Sequence, residues 1–206
     1  MNHDIFIFGS LVRGEVSSTS DSDVLVIPVN AVHRDTYPTN WSVYQRETIK
    51  GYFDAGRLFA WHLHLESHCV FSAEPKNWLQ VIGTPAPYQG AKDDVRSLTD
   101  LLKESLEALR NGTNSEIYEL GICYTALRDI AMSASRRHMG RPSFSRDAPY
   151  QMPVPVPLSR DAYVCAMAAR HYSTRGGPYP QLVEDTVREM LTAPLVDWVS
   201  HIGDSL

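Results

Sequence analysis

Gly9 and Ser10 stand at the end of one apolar run, and after ten intervening residues Asp21 and Asp23 flank Ser22 at the start of another. A glycine at a strand end lets backbone N–H groups come close to an anion, and a serine opening the next turn adds a hydroxyl donor to the same place. Two aspartates two apart at a strand start point to one side of the sheet, so their carboxylates converge on a hard divalent cation, for which magnesium is the expectation. Such an ion bridges phosphate oxygens and neutralises charge that develops in an in-line displacement. Taken singly, Gly-Ser reads as a turn and Asp-Ser-Asp as a solvated loop or helix cap. Their joint placement between two apolar strands predicts a cradle for a metal-bound triphosphate.

The elements that must hold this constellation follow from periodicity. Ile5 to Phe8 and Val24 to Val29 are short apolar runs and read as buried strands, with Trp41 to Gln45 as a third. From Thr48 to Ser67 the apolar residues fit either alternation or helical spacing, and length favours one helix, followed by a short edge strand over Cys69 to Phe71. The Pro- and Gly-containing run Thr84 to Gly90 predicts a linker, giving one domain over 1–88 and a second over 89–206. In the second, Val95, Leu98, Leu102, Leu106 and Leu109 mark a helix face closed by Asn111-Gly112. Ile117, Leu120, Tyr124, Leu127 and Ala131 mark another, capped by Asn114 or Ser115 and stopped by Gly140-Arg141-Pro142. Two further helical patterns, Ser159 to Tyr172 and Gln181 to Leu191, complete a bundle. The expected class is therefore α+β, a mixed sheet with flanking helices followed by an all-helical bundle.

The stretch Phe8 to Val26, FGSLVRGEVSSTSDSDVLV, resembles the signature of the polymerase-beta-like nucleotidyltransferase superfamily, especially its small prokaryotic members with a C-terminal helical domain. Arg13-Gly14 fits that pattern. A looser likeness extends to about residue 73 through Gly56-Arg57-Leu58-Phe59-Ala60-Trp61-His62-Leu63 and Glu66. The resemblance implies a nucleotidyltransferase-type sheet and transfer of a nucleoside monophosphate, expected to be AMP, from a magnesium-bound nucleoside triphosphate to a hydroxyl of a small molecule or a protein, with release of pyrophosphate. It gives Asp21 and Asp23 the catalytic metal-ligand positions of a two-metal site. Gly9, Ser10, Arg13 and Ser20 take the nucleotide positions.

Many active members of that superfamily carry a third carboxylate on a following strand. With Trp41 to Gln45 as that strand, Ser42 or Tyr44 falls at the expected place. Glu66, Glu47 and His62, with Asp54 beside them, are then the candidates for the third acid or base. The same gap admits another function, a catalytically weakened nucleotide-binding or antitoxin-like partner protein of the same fold. His62, His64 and Glu66 do not read as a zinc site, because a helix turns His64 away from the other two and no further ligand stands at zinc spacing.

Arg128, Arg136, Arg137, Arg141 and Arg146 concentrate positive charge near the end of the second bundle helix. Cations complementing a helix C-terminus are the plainer explanation of the patch; if it contacts phosphate or acceptor, Arg141, fixed by a Gly-Arg-Pro turn, is the expected residue. The net charge of −5 argues against a nucleic-acid partner, since that binding is driven by phosphate neutralisation. The expected partners are the triphosphate, its acceptor and, for self-association, a second copy of the chain in a homodimer. Three widely spaced cysteines in apolar surroundings suggest neither disulfides nor a metal site, and with no 18-residue apolar run the expectation is a cytoplasmic protein away from the membrane.

Overall fold

A computed structural model of the chain describes residues 2–15, 22–30, 33, 36–176 and 178–206. Asp21 and Ser20, two of the residues expected at the site, lie outside the described residues. The chain divides into two compact units, Met1–Gly90 and Ala91–Leu206.

The first unit is a four-stranded mixed sheet with helices, consistent with the α+β class. Strand β1 (His3–Phe8) runs antiparallel to β2 (Asp23–Pro28), and β2 is parallel to β3 (Ser42–Val43). Helices α1 (Arg46–Asp54) and α2 (Leu58–Glu66) follow, then β4 (His68–Phe71), which pairs antiparallel with the free side of β1. The order is therefore β3-β2-β1-β4. Alternation places Phe6 and Phe8 of β1 and Leu25 and Ile27 of β2 on one face, where they bury against Ile49 and Phe53 of α1 and Ala60 and Leu63 of α2. Asp23 shares that face, two and four residues before Leu25 and Ile27.

The single helix expected over Thr48 to Ser67 is two. Gly56 fits helical spacing but adopts φ +60°, and the turn closes with Gly56 N–H donating to the Phe53 carbonyl and Arg57 N–H to the Tyr52 carbonyl, the paired bonds of a Schellman stop. A Cβ at Gly56 would meet the carbonyl oxygens of Ala86 and Pro87 at 2.5 Å. The expected linker is thus partly structural: Ala86 donates its N–H to Phe53 and accepts from the Trp61 indole at 2.9 Å. A short helix sequence reasoning missed, α3 (Trp78–Ile82), is capped by Asn77 and Gln80 and anchored by Asp4, a fully buried carboxylate accepting from Trp78 N–H at 2.6 Å and from the Ser72 hydroxyl at 2.8 Å.

Among its described residues the regular elements of the second unit are all helices: α4 (Ala91–Arg110), α5 (Glu116–Met139), α6 (Ala148–Gln151), α7 (Arg160–Arg175), α8 (Val183–Thr192) and α9 (Leu195–Asp204). Its core includes Leu102, Leu120, Leu127, Ile130, Tyr163 and Trp198. Ser115 occupies the N-cap of α5 without a side-chain cap bond, whereas Ser159 caps α7 by accepting from Ala162 N–H. Cys123 and Cys165 are buried as expected, but Cys69, on edge strand β4, is exposed. None of the described helices is long and apolar enough to cross a membrane.

Candidate functional site

The antiparallel register sets Phe8, the last residue of β1, opposite Asp23, the first of β2. Gly9 then leaves the strand with φ +76° and opens a single 3-10 turn, Gly9–Leu11. Arg13 N–H closes back on the Gly9 carbonyl and Glu15 N–H on the Ser10 carbonyl at 2.9 Å, so the segment coils tightly. A Cβ added to Gly9 would overlap the Asp23 carboxylate, with Oδ2 its nearest neighbour. Both the backbone conformation and the space demand glycine here. The outcome is a carboxylate packed directly against the start of a turn, in which the next residue, Ser10, is half-buried.

Arg13 ties this turn to α2. Its Nη1 donates to Glu66 Oε2 at 2.6 Å and its Nε to Glu15 Oε2 at 3.0 Å, while His62 Nε2 lies 3.1 Å from the same Glu66 oxygen. Residues 62 and 66 are one helical turn apart, which puts both on the face of α2 that meets the turn. The His62 ring also packs edge-on against Phe8, 5.5 Å between centroids. Burial alone would push the Glu66 carboxyl up, but hydrogen bonds from His62 and Arg13, together with their charge, outweigh it and hold the carboxyl below its usual range. Glu66 is therefore an anion whose proton-accepting capacity is already engaged.

The structure thus joins Gly9 to Asp23, and Arg13 to His62 and Glu66. The two groups meet through Phe8, which pairs with Asp23 on one side and packs on His62 on the other. Glu47 is exposed in the first turn of α1, where a carboxylate complements the helix dipole. Strand β3 aligns Ser42 with Leu25 and Val43 with Val26 and carries no carboxylate. Among the described residues, no three His, Cys, Asp or Glu side chains form a metal-binding group. Arg141 is exposed just past the left-handed Gly140 that ends α5, in the second unit.

Three residues escaped sequence reasoning. Glu15 holds the second edge of the Arg13 guanidinium, and the only signal for it was an acidic residue two positions on, across a turn. Arg170 and Arg175 of α7 border one groove with Arg128 of α5, although more than forty residues separate the two sets in sequence. Compared with protein-family models and with curated proteins, the chain finds no match to either.

Proposed function

We propose that the first unit binds a magnesium–nucleoside triphosphate, expected to be ATP, at the Gly9 turn and transfers its nucleoside monophosphate to an acceptor hydroxyl. The observation that carries this reading is the packing of the Asp23 carboxylate against the Cα of Gly9, where a side chain of any size would fill the space. The donor set suits the ion: carboxylate oxygens from Asp23 and, by the sequence pattern, Asp21 are the hard ligands magnesium prefers. Magnesium held there would neutralise phosphate charge and orient the leaving group.

The chain's own residues have separate tasks. Ser10 and the backbone N–H groups opening the turn bind phosphate oxygens. Arg13, clamped by Glu15 and Glu66, fixes the turn against α2 so that its donors are in place before the ligand arrives. In the transfer, the acceptor oxygen forms a bond to the α-phosphorus as the bond from that phosphorus to the α,β-bridging oxygen breaks. Pyrophosphate leaves with the bond electrons, and the acceptor proton passes to a base or to solvent. Glu66 is engaged by Arg13 and His62, and β3 offers Ser42 and Val43, so neither supplies a free carboxylate to take that proton.

That shortage favours a second reading, a nucleotide-binding protein of the same fold with little or no turnover. Calorimetric titration with each nucleoside triphosphate plus magnesium, run beside Asp21→Ala/Asp23→Ala and a pyrophosphate-release assay, separates the two. The transferase reading expects binding that the double variant loses, and pyrophosphate release once an acceptor is present. Binding without release under a broad acceptor screen supports the second reading. A folded wild-type protein that binds no triphosphate overturns both.

A further inference from the structure

Between α5 and α7, within the second unit, lies a groove of about 330 Å³. Tyr124 and Arg128 line it from α5, and Arg170, His171, Thr174 and Arg175 from α7. The α7 residues fall one turn apart in two adjacent pairs, the spacing that brings side chains to one helix face. None of the residues lining the groove is acidic. Arg128 is stacked near the Tyr124 ring, 5.8 Å from its centroid, and gives Nε and Nη2 to Asp129 at 2.8 and 2.7 Å. Among the described residues, Arg170 makes no side-chain hydrogen bond or ion pair.

Complementing a helix dipole accounts for Arg175, in the last turn of α7, and for nothing else here. Arg170 sits in the body of α7 and Arg128 in the middle of α5, where no dipole end calls for a cation. The helices are drawn together at this point: a Cβ on Gly121 would lie 2.9 Å from the Arg170 Cα, so glycine allows the backbones to approach and fixes where the Arg170 side chain starts. Guanidiniums gathered round one concavity repel each other, and an anion bound between them relieves that repulsion while accepting from planar N–H forks.

We propose that this groove binds a small phosphoryl-bearing ligand. With Arg128 already paired with Asp129, Arg170 and Arg175 bring two further positive charges to the groove, which favours a multiply charged phosphate over a singly charged carboxylate, and the volume lies at the lower end of the range for small-molecule sites. The inference does not rest on the nucleotide reading, since none of its residues belongs to the first unit.

The test is a magnesium-free NMR titration of the isotope-labelled full chain with inorganic phosphate, pyrophosphate and, as a singly charged control, acetate, all at constant ionic strength. The expected result is saturable movement of the Arg128 and Arg170 side-chain signals and of neighbouring α5 and α7 amides, with pyrophosphate binding more tightly than phosphate and acetate without effect. Arg170→Gln should weaken pyrophosphate at least tenfold and Arg175→Gln less. Asp23→Asn should leave this binding unchanged, which separates failure here from failure of the nucleotide reading. Near-UV circular dichroism establishes that each variant is folded. The proposal is overturned by non-saturable shifts, by equal movement with acetate, by shifts confined to residues 2–90, or by undiminished affinity in folded Arg170→Gln.

Discussion

A glycine with φ +76° whose missing Cβ would overlap a carboxylate is constrained twice over, and the two constraints predict different losses. Gly9→Ala forces an L-residue into a left-handed conformation and displaces Asp23, so urea unfolding should show a destabilisation of about 1–3 kcal/mol. If the turn is the phosphate cradle, triphosphate binding should fall by far more than the stability loss explains; equal binding in the folded variant would sever Gly9 from the site. Glu66 gives a prediction of another kind. Its carboxyl is held below the usual range in the folded state, so its contribution to stability is complete above the unfolded Glu value of about 4.3 and disappears as pH falls through the lowered folded value. Glu66→Gln should therefore cost about 1–2 kcal/mol at neutral pH, and the gap to wild type should close in acid below pH ~4. A gap that persists unchanged at low pH would mean that the charge of Glu66 is not what holds Arg13.

Among whole elements, two helical glycines make a controlled comparison. Gly51 sits inside α1 with open space where a Cβ would go, whereas Gly121 sits inside α5 against the backbone of Arg170. Gly51→Ala should stabilise by about 0.5–1 kcal/mol through helix propensity and lost unfolded-state entropy. Gly121→Ala should destabilise by about 1–3 kcal/mol, because the backbone of α7 must move. Thermal melts of the pair decide it, and a stabilising Gly121→Ala would contradict the close approach of α5 and α7. The two glycines also mark what sequence could and could not convey. Unbroken apolar runs sufficed for β1 and β2, the second buried on both faces, and a period of 3.6 sufficed for α4 and α5, because these burial patterns are written locally. Gly56 misled that reading, since a glycine matches helical spacing whether it continues the helix or ends it, and the Schellman bonds that decide the matter involve main-chain atoms common to all residues. In the candidate site, Gly9 beside Asp23 was legible because one hairpin connects them. The Arg13–Glu66 pair was not, since 53 residues separate its members and only the packing of α2 on the sheet brings them together.

On the scale of the whole molecule, each unit carries its own hydrophobic cluster, one centred on the β1–β2 face with α1 and α2, the other on α5. Burial in the second is extensive: Leu102, Leu120, Leu127 and Ile130 are fully inaccessible, and Trp198 of α9 further ties the chain's end to the Val154 carbonyl at 2.9 Å. Its packing lies within the unit, α4 on α5 and α5 on α7, with α8 and α9 returning onto α4 and α5; predominantly helical contacts of this kind favour rapid folding. Residues 91–206 alone should therefore fold cooperatively, with one sigmoidal urea transition and a defined near-UV spectrum from Trp198 and the buried tyrosines. A fragment with helical far-UV signal but no near-UV signal would instead be a collapsed state without fixed packing, and would show that the second core is completed only in the intact chain. If the fragment folds and the groove between α5 and α7 still takes up pyrophosphate, the bundle carries a binding function of its own, and the Gly9 turn of the first unit can be altered without disturbing it.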